Sequence, residues 1–123
     1  MHTLKNGILT VQVKEHGAEL ASIMKDTTEY LWQADPAFWG RHSPVLFPIV
    51  GSVWEKHYRI NGVEYEMGQH GFARDMDFAL VEGNETEVRY RLESSAETLA
   101  KYPYPFVLEI AYKLQGNKLD VIW

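Results

Sequence analysis

The sequence predicts an all-β fold, an antiparallel sandwich or barrel of roughly nine short strands. The dominant period of apolar residues along the 123-residue chain is two, which is the period of half-buried strands. Turn-forming glycine and asparagine residues separate the alternating runs at short intervals. Only one segment carries a helical pattern, so almost no helix is expected.

The first three predicted strands lie in the N-terminal third of the chain. In residues 8–14 (ILTVQVK) the apolar and polar side chains alternate, which predicts a strand with one buried face. The expected buried residues of this strand are Leu9, Val11 and Val13. Residues 17–24 (GAELASIM) predict a second short strand after a glycine turn, and residues 28–32 (TEYLW) predict a third.

Residues 33–52 predict a long ordered loop. This stretch holds three prolines, two glycines and three bulky aromatic residues without a sustained period. Pro48 would interrupt a strand ladder or lie at its edge. We expect a short buried segment at residues 45–50. Loops of this length are uncommon in compact domains unless they have a function.

Residues 57–67 (HYRINGVEYEM) are the clearest local prediction. An Asn61-Gly62 pair between two alternating runs predicts a β-hairpin, because both turn positions need positive φ angles. The segment that follows, residues 69–75 (QHGFARD), predicts a polar loop. Residues 76–83 and 86–94 then predict a second strand pair around a Gly-Asn turn.

The C-terminal quarter of the chain predicts a short helix and a final hairpin. Residues 95–105 favour one or two helical turns that end before Pro103. Residues 106–115 alternate regularly, and a Gly-Asn turn leads from them into residues 118–123. This last strand ends on Val121, Ile122 and Trp123, which suggests an apolar edge that a partner covers. We therefore expect a sheet cut short, with self-association through the open edge as one outcome.

Composition narrows the classes of function. The net charge is −5, with 12 basic and 17 acidic residues, and no stripe of Lys or Arg suggests nucleic-acid binding. The absence of cysteine excludes disulfides and thiolate metal sites. We find no signal peptide and no apolar run near the ~20 residues that a membrane helix needs. The expected location is the cytoplasm, without membrane association.

The loop at residues 69–75 holds two candidate functional residues. His70 could orient a substrate oxygen or exchange a proton, or its ring nitrogens could simply bond to nearby backbone. Arg74 offers a planar fork of donors suited to hydroxyl groups or an anion. The alternative for Arg74 is a surface ion pair with Asp75 or Asp77.

The long loop holds a third candidate. Arg41 follows Trp39 and could clamp a ligand, or it could stack on the indole ring of that residue. Several nearby aromatic side chains could form a flat wall for a sugar ring, or they could belong to the core. These aromatic residues are Trp32, Phe38, Trp39 and Trp54. The histidines show no spacing typical of a metal site, so we expect neither a metal nor a cofactor.

Several motifs, in order along the chain, together resemble the aldose 1-epimerase (mutarotase) family. They are GAELASI, EYLW, DPAFWGRHSPVLFPIVG, YRINGVEYEM, QHGFARD and ETLAKYPYPFVLEIAYKL. The resemblance covers about Leu4 to Trp123 and is closest to the LacX-like and hexose-6-phosphate epimerase branch. The pair SPVLFPIVG and HGFAR is the most specific part.

The resemblance implies a fold, a reaction and three site residues. The fold would be an antiparallel β-sandwich of the galactose mutarotase-like type, incomplete here, with residues 1–123 as the N-terminal part of one domain. The reaction would interconvert the α and β anomers of an aldohexose, or of a hexose 6-phosphate, by general acid–base ring opening. His70 would be the catalytic histidine that orients the sugar, and Arg41 and Arg74 would bind it.

One departure from the family pattern limits this inference. The family's second histidine and base glutamate have no counterpart in this chain, so we expect the chain alone to bind sugar poorly and to catalyse slowly. Two alternatives stay open, a carbohydrate-binding module without turnover and a structural remnant of the fold that binds no sugar.

Overall fold

A computed structural model describes all residues from Met1 to Trp123, and its strands form two four-stranded antiparallel sheets and a separate hairpin. The first sheet has the order β1-β2-β3-β4, and its strands are His2–Lys5, Thr10–Val13, Leu20–Lys25 and Thr28–Glu29. The hairpin consists of β5 (His57–Ile60) and β6 (Val63–Glu66). The second sheet has the order β10-β9-β8-β7, and its strands are Ala79–Gly83 (β7), Glu87–Glu93 (β8), Val107–Gln115 (β9) and Lys118–Ile122 (β10).

One hydrophobic core lies between the two four-stranded sheets. In β2 the alternation predicted from the sequence is confirmed, since Val11 and Val13 are fully buried while Thr10 and Gln12 are partly exposed. The facing side chains of β8 and β9 complete the core with Val88, Tyr90, Leu92, Ile110, Tyr112 and Leu114. Face-to-face packing of alternating strands is the arrangement of a β-sandwich, so the predicted fold class is confirmed.

Two buried tyrosines differ in how their hydroxyl groups are satisfied. The hydroxyl of Tyr112 donates a 2.7 Å hydrogen bond to the carbonyl of Ala18 and so ties the two sheets together. The hydroxyl of Tyr90 is buried without a hydrogen-bond partner. Burial raises the pKa of Tyr90 to about 12, with the charge of Glu15 adding to the effect. Burial also raises the pKa of Tyr112 well above its ordinary value.

The local sequence signals correspond closely to the observed elements. Asn61 and Gly62 both have positive φ angles, 50° and 77°, as the predicted hairpin turn requires. The predicted helix is α1 (Ala96–Lys101), and a capping box between Ser95 and Thr98 starts it. This six-residue helix is the only α-helix, and no helix has the length and apolar character to cross a membrane.

Two details of the first sheet differ from the sequence predictions. The strand His2–Lys5 was not predicted, because within it only Leu4 turns into the core. The predicted strand at residues 28–32 is shorter, since β4 contains only Thr28 and Glu29. Beyond β4 the chain bends at Leu31, whose amide donates to the carboxylate of Glu29 over 3.0 Å.

The carboxylate of Glu29 fixes this bend through three hydrogen bonds. It accepts from the hydroxyl of Ser22 and from the backbone amides of Ile23 and Leu31. Burial raises the pKa of Glu29, but the hydrogen bonds outweigh burial and hold the pKa below the ordinary value of 4.5.

Candidate functional site

A surface cavity of about 430 Å³ lies where the long loop meets the loop at residues 69–75. Its volume falls within the range typical of small-molecule pockets. The lining residues are Trp39, Ser43, Pro44, Leu46, Gln69, His70 and Arg74. The two segments that the sequence singled out therefore form one concave site.

Residues 33–52 contain no helix or strand, which confirms the predicted ordered loop. Its segment near residues 45–50 is buried at Val45 and half-buried up to Ile49, whereas Val50 is exposed. The carbonyl of Phe47 accepts hydrogen bonds from the amides of Phe72 and Ala73 over 3.0 and 3.2 Å. These bonds align the two loops side by side and make them one wall of the cavity.

Close approach of the loops depends on Gly71. A Cβ atom at this position would lie 2.1 Å from the carbonyl oxygen of Phe47 and 2.6 Å from the ring of Pro48. The φ angle of Gly71 is +75°, in the left-handed region that favours glycine. The glycine of the HGFAR motif thus serves both the backbone conformation and the packing.

His70 is held by two reciprocal hydrogen bonds to Gly51. Its backbone amide donates to the Gly51 carbonyl over 2.7 Å, and its ring Nδ1 accepts from the Gly51 amide over 2.8 Å. Because an amide can only donate, Nδ1 carries no proton, and the proton of the neutral ring is on Nε2. Nε2 makes no hydrogen bond within the chain, so His70 offers the cavity an N–H donor.

The backbone of His70 also departs from common geometry. Its φ angle is +62°, which is uncommon for a residue other than glycine. Backbone conformations of this kind cost free energy and are often found at functional sites. Here the conformation, together with the left-handed Gly71, turns the imidazole against Gly51.

Arg74 and Arg41 meet at one carboxylate. Arg41 donates from Nη2 to Oδ1 of Asp75 over 2.8 Å, and Nε of Arg74 lies 3.6 Å from Oδ2 of the same group. Arg74 lines the cavity, whereas Arg41 lies beside it and reaches Arg74 through Asp75. The Nε atom of Arg74 is buried without a hydrogen-bond partner. Two guanidinium groups and one carboxylate leave this corner with a net positive charge.

The four aromatic residues proposed as a wall do not form one surface, because Trp54 lies apart from the other three. Trp39 lines the cavity, and its carbonyl accepts a 2.9 Å hydrogen bond from the indole of Trp32. Phe38 packs edge-on against Trp32, with 6.2 Å between the ring centroids. Trp54 is 85% exposed and lines a separate depression with His57 and Tyr58. Only Trp39 is therefore placed to contact a ligand in the cavity.

Glu19 organises one side of the site and was not predicted from the sequence. One oxygen of its carboxylate accepts hydrogen bonds from the amides of His42 and Ser43, each over 3.0 Å. The sequence feature that could have indicated this role is the position of Glu19, a single acidic residue inside the largely apolar run GAELASIM. A carboxylate in such a run requires partners, because burial of an unpaired charge is costly.

The cavity can bind through donors and an aromatic face, but it lacks a carboxylate. Its polar side chains are those of Ser43, Gln69, His70 and Arg74, and Trp39 supplies a ring. Such a set suits a polyhydroxylated ring, whose oxygens accept hydrogen bonds and whose C–H face packs on aromatics. None of the lining residues can act as a carboxylate base.

Comparisons with known proteins point to one family. A family profile described as aldose 1-epimerase matches residues 1–122. The chain is 44% identical over 123 residues to the chromosomal and plasmid forms of Protein LacX of Lactococcus lactis subsp. lactis, covering 94% of this chain and 41% of each LacX protein.

Two solved structures have the same fold. One is a galactose mutarotase related enzyme from Lactobacillus acidophilus, with 39% identity, a TM-score of 0.94, and coverage of 96% of this chain and 40% of that one. The other is a galactose mutarotase-like protein from Lactobacillus casei, with 39% identity, a TM-score of 0.93, and coverage of 97% and 41%. The chain thus spans 41% of the length of the curated relatives and has the corresponding part of a galactose mutarotase-like sandwich.

Proposed function

The chain belongs to the aldose 1-epimerase family, and from this membership we propose that it binds an aldohexose in the cavity beside His70 and takes part in interconverting its α and β anomers. The observation that carries the proposal is the fixed tautomer of His70. Because the Gly51 amide occupies Nδ1, the ring presents Nε2–H to the cavity. An oxygen of the sugar is a suitable acceptor for this hydrogen bond.

The sugar would be held from two further directions. The exposed ring of Trp39 can pack against the C–H face of a pyranose. Arg74 can donate from its guanidinium fork to adjacent hydroxyl groups. Arg41, tied to Asp75, would support Arg74 and contact a substituent that extends beyond the cavity.

Anomer interconversion needs an acid and a base acting together. A base removes the proton of the anomeric hydroxyl while an acid protonates the ring oxygen, and the bond between that oxygen and the anomeric carbon breaks. Rotation of the aldehyde and closure on the other face then give the second anomer. No metal or cofactor enters these steps. Because the cavity has no carboxylate, the 123-residue chain alone should bind sugar better than it turns it over.

The direct test combines binding and turnover. Chemical shifts of the ¹⁵N-labelled chain would be followed during titration with D-glucose, and mutarotation of α-D-glucose would be followed by polarimetry. We expect saturable shifts at His70 and a mutarotation rate that is slightly but measurably above the uncatalysed rate. His70→Ala should abolish the saturable shifts.

His57→Ala is the matched control, because His57 is exposed and its Nδ1 bonds only to the carbonyl of Glu55. Equal effects of the two alanine variants would contradict the role of His70. Saturable binding with no change in mutarotation rate would favour the carbohydrate-binding module, and no binding at all would favour the structural remnant.

A phosphorylated hexose is the second candidate ligand. Two guanidinium groups share one carboxylate at this corner, which leaves a net positive charge beside the cavity that Arg74 lines. Arg74→Ala should therefore weaken binding of glucose 6-phosphate more than binding of glucose, by roughly tenfold, the equivalent of one charge-assisted hydrogen bond. Arg74→Lys should restore only part of the loss, because a point charge lacks the fork. Equal losses for both sugars would exclude the phosphate preference.

A further inference from the structure

The carboxylate of Glu19 holds the part of the long loop that carries the sugar-binding residues. Glu19 precedes β3 and is 9% exposed. Its Oε1 accepts from the amides of His42 and Ser43, and its Oε2 lies 3.4 Å from Nζ of Lys14. The acidic group thus has donors on both oxygens, which offsets the cost of removing it from water.

The clamped segment has no regular structure of its own, so its position depends on such contacts. Next to the carboxylate, the hydroxyl of Ser43 donates to the carbonyl of Leu20 over 2.7 Å. Nζ of Lys14 also lies 3.1 Å from Nδ1 of His42. Four contacts, made by Lys14, Glu19 and Leu20 at the adjacent ends of β2 and β3, therefore converge on two consecutive loop residues.

These two residues connect the elements of the proposed site. Immediately before them, Arg41 reaches across to Asp75, and immediately after them, Pro44 lines the cavity together with Ser43. Movement of the segment would change the positions of Arg41 and of the cavity wall relative to His70. We propose that Glu19 is a positioning residue for sugar binding, an inference that rests on the proposed function.

The test compares three substitutions at one position in the 123-residue chain. Glu19→Ala removes the acceptor for both amides. Glu19→Gln keeps an oxygen acceptor but loses the charge, and Glu19→Asp keeps the charge but shortens the reach. Affinity for D-glucose should fall about tenfold in the alanine variant, the equivalent of one lost hydrogen bond to a charged group, and should be largely restored by glutamine.

Glu29→Ala provides a matched control for stability. Glu29 also accepts from two backbone amides and a side-chain donor, but none of these partners lines the cavity. Amide hydrogen exchange would report whether His42 and Ser43 lose protection in the Glu19 variants. Should Glu19→Ala fail to fold, the contrast between Glu19→Gln and Glu19→Asp decides the question, with lower affinity expected for aspartate.

The outcomes separate this inference from the proposed function. Lost protection at His42 and Ser43 together with weaker glucose binding, and no such weakening in Glu29→Ala, would support the positioning role. Lost protection with unchanged affinity, or equal losses in both alanine variants, would overturn it while leaving the sugar site intact. Absence of glucose binding in the wild-type chain would instead remove the proposed function, and the positioning role with it.

Discussion

Substitution of Gly71 by alanine tests how the His70 loop is built. The added Cβ would lie 2.1 Å from the carbonyl oxygen of Phe47 and 2.5 Å from its carbon. Relief requires that the two loops separate, which breaks the hydrogen bonds from Phe72 and Ala73 to that carbonyl. Each broken hydrogen bond costs about 1 kcal/mol, and an alanine in the left-handed conformation costs about 1–2 kcal/mol. We therefore expect the free energy of unfolding to fall by about 3–4 kcal/mol.

Gly62→Ala is the control that isolates packing from conformation. Gly62 has nearly the same φ angle, +77° against +75°, but a Cβ there would meet nothing within 4 Å. Gly62→Ala should therefore lower the free energy of unfolding only by the cost of the left-handed conformation, about 1–2 kcal/mol. Urea denaturation of both variants measures the difference. If Gly71→Ala and Gly62→Ala were equally stable, the close contact between the loops would not exist as described.

Three further predictions concern the core, the dependence on pH and the aromatic wall. Tyr90→Phe should raise the free energy of unfolding by about 0.5–1 kcal/mol by removing an unsatisfied hydroxyl, whereas Tyr112→Phe should lower it by about 1 kcal/mol. Because the pKa of Glu29 is lowered in the folded chain, its ionised carboxylate stabilises the fold above pH 4.5. This stabilisation is lost as the pH falls through the pKa of Glu29 in the folded state. In Glu29→Gln the urea midpoint of unfolding should therefore fall less steeply as the pH is lowered below 4.5. The same fall in the variant and in the wild-type chain would contradict this. Trp39→Ala should weaken glucose binding severalfold and Trp54→Ala should not, as titrations of both would show.

Much of the fold follows from local sequence signals. The hairpin at residues 57–67 was predicted because the Asn61-Gly62 turn and its flanking alternation act over a few residues. The same holds for the buried face of β9 and for the capped helix. The first strand was not predicted, because only Leu4 in it is buried and its pairing with β2 is seen only in the assembled sheet.

The site was predictable only in part for the same physical reason. His70 and Arg74 share one short motif, so their proximity follows from the sequence. The contacts that orient them are long-range, since Gly51 fixes the ring of His70 and Asp75 links Arg74 to Arg41. Trp54 was grouped with Trp39 on residue type alone, but it lies beside the β5–β6 hairpin on another surface.

The measurement that tests the central claim most directly is a glucose titration of the ¹⁵N-labelled chain with His70→Ala measured alongside. We predict saturable shifts that are confined to the amides of the cavity wall, His70 and Ser43 among them, and that disappear in the variant. Saturable shifts that persist in His70→Ala, or that map to the depression beside Trp54, would contradict the assignment of this cavity as the sugar site.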